Sequence, residues 1–169
     1  MSIDRNPTTG VLIDLLGPTI EFMTDPDDAG NDFCVMRGVV PPAGFVPLHS
    51  HSDTEGFMVV AGEVEVLRYP AGDSDEIPEW LHAETGDYVH MGGAAAHAWR
   101  NTADTPAEVL IVATNKLGRF MREAGRPMRE ADLPPTAQDF ARFAETAARY
   151  GYWIAAPAQN VAAGVMPVA

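Results

Sequence analysis

The chain holds one cysteine, Cys34, in 169 residues. A lone thiol excludes an internal disulfide and any cysteine-based zinc site. No base and no second cysteine stands near it in "NDFCVMRGVV", so it reads as a buried, unreactive thiol on a strand. Long apolar runs are missing as well. None approaches the roughly 20 residues that cross a bilayer. The opening "MSIDRNPTTG" shows no basic segment followed by an apolar one, so no secretory leader is visible and a cytoplasmic location is expected. Basic residues are scarce, 11 Lys and Arg against 24 Asp and Glu, for a net charge of −13. Such a chain repels phosphate backbones and anionic lipid surfaces, so neither nucleic acid nor membrane is expected as a partner. Four of the acidic residues fall in "AGDSDEIPE" (71–79), read as a solvated insert. Its role stays open between a surface loop and a lid near Trp80.

Apolar residues are plentiful, at 46%, enough for one domain over 1–169 with a sizeable core. The first 115 residues read as short strands punctuated by glycine and proline: 11–16, 18–24, 32–40, 56–69 with a turn at Gly62, 86–93, 96–101 and 107–115. This spacing favours an all-β sandwich or barrel, placed at about 11–115, over alternating strands and helices. The pattern then changes. "LGRFMREAG" (117–125) and "TAQDFARFAETAARYG" (136–151) read as helices. In the second, Thr136 is the N-cap with Asp139 completing a capping box, and Gly151 ends it. Phe140, Phe143, Ala144 and Ala147 repeat at helical spacing and form one apolar face. That face is expected to cover the barrel's open side, the alternative being a dimer contact. The apolar tail 152–169 is expected on the surface or on a partner subunit.

The stretch "HSHSDTEGFMVVAG" (49–62) concentrates chemistry. On a strand, His49 and His51 point to one side, about 6–7 Å apart along the backbone. Glu55 has the same parity. Imidazole and carboxylate ligands suit iron, manganese, nickel, copper or zinc. His-x-His alone is a weak signal. The second segment, "GDYVHMGGAAAHAWRN" (86–101), strengthens it with His97.

Together the two segments resemble the paired motifs of the cupin superfamily. Gly44, His49, His51, Glu55 and Gly62 follow the first motif, with an opening gap one residue short. Gly86, His97 and Asn101 follow the second, with Gly92 where the family has proline and Ala94 where it has glycine. Gly93 is expected to supply the turn that Ala94 lacks. The resemblance implies an antiparallel, jelly-roll-like β-barrel with C-terminal α-helices. It also implies one divalent transition metal inside, held by His49, His51, Glu55 and His97. Iron is favoured, with manganese, nickel, cobalt, copper or zinc as alternatives. Asn101 takes a turn role. His82, in a loop-like segment, and His90, on the 86–91 strand, are expected to be solvated or core-satisfied, although His90 would reach the pocket if its parity pointed inward.

Parity adds Phe57 and Val59 to the Glu55 face and Trp99 to the His97 face. Phe120 and Met121 are expected to close the open end. Such a lining suits a small apolar or aromatic molecule that presents an oxygen to the metal, unless these side chains are simply barrel core. Residues 33–151 are most similar to single-domain quercetin dioxygenase-like cupins. That branch implies a homodimeric dioxygenase acting with O2 on a flavonol-like, enol or β-diketone compound, with Glu55 as general base. A metal-dependent isomerase, cyclase or lyase without O2, and a non-catalytic small-molecule-binding protein, fit the same ligand set.

Overall fold

A computed structural model describes residues 7–69, 78–92, 94–128 and 133–165. Two antiparallel sheets face each other. The seven-stranded sheet contains β1 (Leu12–Asp14), β2 (Thr19–Phe22), β3 (Cys34–Val40), β5 (Glu55–Ala61), β8 (Tyr88–Met91), β10 (Ala107–Ala113) and β11 (Arg126–Pro127), in the order β11-β1-β2-β3-β10-β5-β8. The five-stranded sheet contains β4 (Phe45–Ser50), β6 (Glu63–Arg68), β7 (Glu79–Glu84), β9 (His97–Arg100) and β12 (Trp153–Ile154), in the order β12-β4-β9-β6-β7. Three helices, α1 (Asn115–Ala124), α2 (Ala137–Tyr150) and α3 (Pro157–Ala162), complete the described chain. This is the all-β sandwich that the strand pattern favoured, in the mostly antiparallel jelly-roll form that the resemblance implied.

Alternation decides which side chains meet between the sheets. In β3, Cys34, Met36 and Val40 are buried while Val35, Arg37 and Val39 are only partly covered. Phe22, Phe57, Val59, Val64, Val109 and Leu117 join Cys34 and Met36 in one core. Removing each of these side chains from water is worth roughly 1.5–3 kcal/mol. Gly62 marks a corner. It separates β5 from β6, and the two strands belong to different sheets. Its φ of 76° is left-handed, and a Cβ there would lie 2.8 Å from the Pro106 carbonyl oxygen, so only glycine suits the corner.

Several expectations need correction. The segment holding His82 is β7, paired along its length with β6, and not a loop. Its alternation is hidden because Trp80, Leu81 and His82 all keep some exposure on an edge strand. Residues 70–77, most of the acidic insert, lie outside the described residues, as does Gly93. Ala94 makes the left-handed turn itself, with φ 61°. The face α2 buries is centred on Thr146 and Ala147, flanked by Phe143 and Tyr150, while Phe140 and Ala144 are exposed. The capping box of Thr136 and Asp139 and the left-handed Gly151 cap are present. The helix read at 117–125 starts earlier, at Asn115, because the Thr114 side chain caps it.

The tail does more than lie on the surface. Trp153 and Ile154 pair with Ser50 and His49 as the edge strand of the smaller sheet. The Leu48 amide donates to the Asn160 side-chain oxygen at 2.7 Å, and the Ala155 amide donates to the Leu48 carbonyl at 2.8 Å. Residues 152–165 therefore belong to the jelly roll, and residues 166–169 lie outside the described part.

Candidate metal centre

Strands β4 and β9 are neighbours, and His49 stands opposite His97 in their register. His51 lies just past the end of β4, where the chain bends before re-entering the other sheet at Glu55. The bend carries the His51 imidazole back toward the other two. The three ring centroids are 4.2–5.5 Å apart. One nitrogen from each of His49, His51 and His97 lies within 4.8 Å of the others, a group that can hold a metal ion.

The free nitrogens show why. Each Nδ1 donates to a backbone carbonyl two residues away: His49 to Pro47 at 2.7 Å, His51 to Asp53 at 3.1 Å and His97 to Ala95 at 2.9 Å. That fixes the tautomer and leaves Nε2 with a lone pair. His51 Nε2 and His97 Nε2 are buried and make no hydrogen bond. Two unpaired buried acceptors cost free energy unless something fills the space between them. A metal ion would do so, and the residues fit it. Glu55 Oε2 lies 3.2 Å from His51 Nε2 and 4.0 Å from His97 Nε2, which puts a carboxylate at the same pole. Burial, reinforced by the nearby His97, pushes His49 well below the ordinary imidazole range. Burial also lowers His97, against the opposing pull of Glu55. Neutral imidazoles are the form that binds metals.

A cavity of about 70 Å³ opens from this pole between the sheets. His49, His51 and Glu55 line one end. Trp99, Phe120 and Met121 line it further along, together with Phe143 of α2. Phe57 and Val59 share the inward face of β5 but sit in the core outside the lining, Phe57 with its ring centroid 3.6 Å from that of Trp99. His90 is exposed on β8, opposite Gly56, and points away from the pocket. His82 is exposed, 3.7 Å from the Glu63 carboxylate. Asn101 is buried and holds a turn: its amide donates to the Val40 and Thr105 carbonyls, and its oxygen accepts from Ala103.

Two wall residues from the tail, Tyr152 and Ile154, were not anticipated. Neither carries a sequence signal, since each depends on where the chain goes after Gly151. Asp53 also escaped notice. It is buried inside the first motif, where its carboxylate accepts from Thr114 Oγ1 at 2.5 Å and Tyr152 Oη at 2.7 Å. Burial opposes ionisation of Asp53, but these bonds and Lys116 hold it below its ordinary value. Its parity with His49, His51 and Glu55 was the available clue. Burial and Asp53 push the Tyr152 hydroxyl far above the usual phenol range, so it stays protonated. No described helix is long and apolar enough to cross a membrane.

Comparison with known proteins agrees with this architecture. Residues 36–113 match the profile of the Cupin_2 family, cupin domain. The polyketide cyclase RemF from Streptomyces resistomycificus superposes with a TM-score of 0.56 at 18% identity, covering 68% of this chain and 80% of that one. An oxalate oxidase gives 0.52 at 19%, covering 79% and 74%. A predicted oxalate decarboxylase from Thermotoga maritima gives 0.51 at 21%, covering 68% and 98%. No curated protein matches the chain. At these identities the structures share the fold, and their reactions differ. The match of residues 36–113 to the Cupin_2 cupin-domain profile agrees with the jelly roll and with the three convergent histidines.

Proposed function

We propose that the protein is a metal-dependent dioxygenase of small enol or β-diketone compounds, with His49, His51, His97 and Glu55 as the ligands. The observation that carries this reading is the separation of polar and apolar groups in the cavity. Imidazoles and one carboxylate stand at one pole, and the remaining wall is almost entirely hydrocarbon. A substrate that fits has its oxygens at one end and an uncharged body. Small dicarboxylates would leave a charge against Trp99, Phe120 and Met121 with no partner, which is costly.

A divalent transition metal bound there would supply Lewis-acid polarisation of the substrate oxygen and a meeting point for O2. The chain does the rest. His49, His51 and His97 present nitrogens whose aim is fixed by their backbone bonds. Glu55, beside the imidazoles, would accept the enol proton on loosening from its ligand role. Trp99, Phe120 and Met121 exclude water from the hydrocarbon end. Size narrows the substrate. About 70 Å³ is less than the roughly 150 Å³ of a cavity that takes benzene. Even a short β-diketone, larger than benzene, requires the wall to give, and a flavonol requires a larger displacement of Met121 and Phe143.

The test is elemental analysis of the purified protein beside a His49→Ala, His97→Ala variant, followed by oxygen-electrode assays with pentane-2,4-dione and a flavonol. The expected result is a near-stoichiometric redox metal, absent from the variant, and oxygen consumption matched to product. Turnover without oxygen consumption would assign an isomerase, cyclase or lyase instead. Binding without product would assign a binding protein. A wild type that takes up no metal on reconstitution would overturn the reading.

A further inference from the structure

We propose that Tyr152 is a positioning residue for the His51 imidazole, acting through Asp53, so that the tail segment walling the cavity also sets the aim of one metal-facing histidine. The inference rests on the three-histidine reading above and extends it to residues outside the motifs.

The three histidines are not held alike. His49 and His97 lie on paired strands, and each ring is fixed by a carbonyl of its own chain segment, Pro47 or Ala95. His51 lies outside any strand. Its ring is fixed by the Asp53 carbonyl, in the irregular stretch 51–54. The position of that carbonyl depends on what holds Asp53. Its side chain accepts from Thr114 Oγ1 and Tyr152 Oη and lies 3.5 Å from Lys116 Nζ. Thr114 has a second task, since its hydroxyl oxygen caps α1 by accepting from the Leu117 amide at 3.1 Å. Tyr152 arrives from the far end of the chain, 7% exposed, with its ring 5.3 Å from the His51 ring and 4.9 Å from that of Phe120. Asp53 thus joins three otherwise separate pieces: the first motif, the start of α1 and the tail.

A buried carboxylate stripped of one donor turns toward its remaining partners or draws in water. Here that motion would be felt at the Asp53 backbone and then at His51 Nδ1. The Nδ1 protons of His49 and His97 are held by Pro47 and Ala95 and not by Asp53, so they should not respond through this route. Partners of this kind, one step behind a metal-binding histidine, commonly change metal affinity 10–100-fold when removed.

The experiment compares the wild-type full chain with Tyr152→Phe and Asp53→Asn variants. The metal-free proteins, labelled with ¹⁵N-histidine, are examined by long-range ¹H–¹⁵N NMR at pH 7.5, and cobalt(II) affinity is measured in parallel. In the wild type, all three site histidines are expected as the Nδ1–H tautomer. In Tyr152→Phe, His51 alone should become a tautomer mixture or exchange its Nδ1 proton at least about tenfold faster, with cobalt(II) affinity down about tenfold. Asp53→Asn guards against a folding defect peculiar to the first variant and should give the same His51-specific change. An unchanged His51 in both variants would overturn the proposal. So would equal changes at all three histidines, which indicate general loosening. A wild type that takes up no cobalt(II) would overturn the metal reading instead, leaving the tautomer measurement to judge the link from Tyr152 to His51.

Discussion

Ile154 stands opposite His49 in the antiparallel pair that closes one edge of the five-stranded sheet. The last strand of the fold therefore braces the strand that carries the first histidine, although the two residues are far apart in sequence. The brace continues into α3, where buried Asn160 bonds to Leu48 and, through its amide, to the Ala155 and Ala156 carbonyls.

Asn160→Ala should lower stability by about 1–3 kcal/mol, the cost of leaving the buried Leu48 amide without an acceptor. Urea unfolding monitored by tryptophan fluorescence would show this as a lower midpoint at unchanged slope. An unshifted midpoint would mean that another group or water takes over the bond.

Acid should destabilise the metal-free protein earlier than its carboxylates alone would dictate. His49 and His97 are held below the ordinary imidazole value by burial, among His51 and Glu55. Below about pH 6.5 the unfolded chain binds protons at these positions while the folded one does not. Stability present above that pH is then lost as pH falls toward the folded-state values, by at most about 1.4 kcal/mol per unit for each histidine. Thermal unfolding between pH 8 and 5 should show a plateau and then a decline from about 6.5. The decline should be shallower in a His49→Gln, His97→Gln variant.

Ala94→Gly should stabilise the protein. Ala94 has a φ of 61°, and its amide donates to the His51 carbonyl at 2.9 Å. A left-handed conformation costs an L-residue roughly 1–2 kcal/mol, part of which glycine returns through its freer unfolded state. The net gain should be up to about 1 kcal/mol, visible as a rise of a few degrees in Tm. A fall in Tm would show that the alanine methyl contributes packing worth more than the strain.

Gly118→Ala should do the reverse. A Cβ there would lie 2.7 Å from Cys34 Sγ and 3.0 Å from Pro26 Cβ, on the side where α1 packs against buried residues. Forcing a methyl group into such a contact typically costs 1–3 kcal/mol. Because α1 also carries Phe120 and Met121 to the cavity wall, the variant should bind an apolar fluorescent probe differently as well as melt earlier. An unchanged Tm would mean that the helix lifts away freely.

Much of the fold was legible before any coordinates. Glycine and proline punctuation with two-residue alternation is local information, and it located β3, β5, β6 and β10. Thr136, Asp139 and Gly151 marked the ends of α2 because capping needs only residues within one turn. The edge strand β7 was missed, since an edge strand exposes both faces and loses the alternation that identifies it. The buried stripe of α2 was displaced by a turn toward its end. Helical spacing gives a set of possible faces, and the position of α1 selects one.

The sequence by itself determined the chemical identities at the site: which side chains could bind a metal, and the spacing that places His49, His51, Glu55 and His97 in two recurring motifs. Tertiary structure alone decided the rest. Only the folded chain brings Asp53 under Thr114 and Tyr152, puts Ile154 across from His49, moves Phe57 and Val59 behind the cavity wall, and leaves two Nε2 atoms buried without partners. The physical reason is range. Alternation and capping act over a few residues and are written in neighbouring positions. The wall of a cavity is made by contacts between segments about a hundred residues apart, and these are set by the packing of the whole chain.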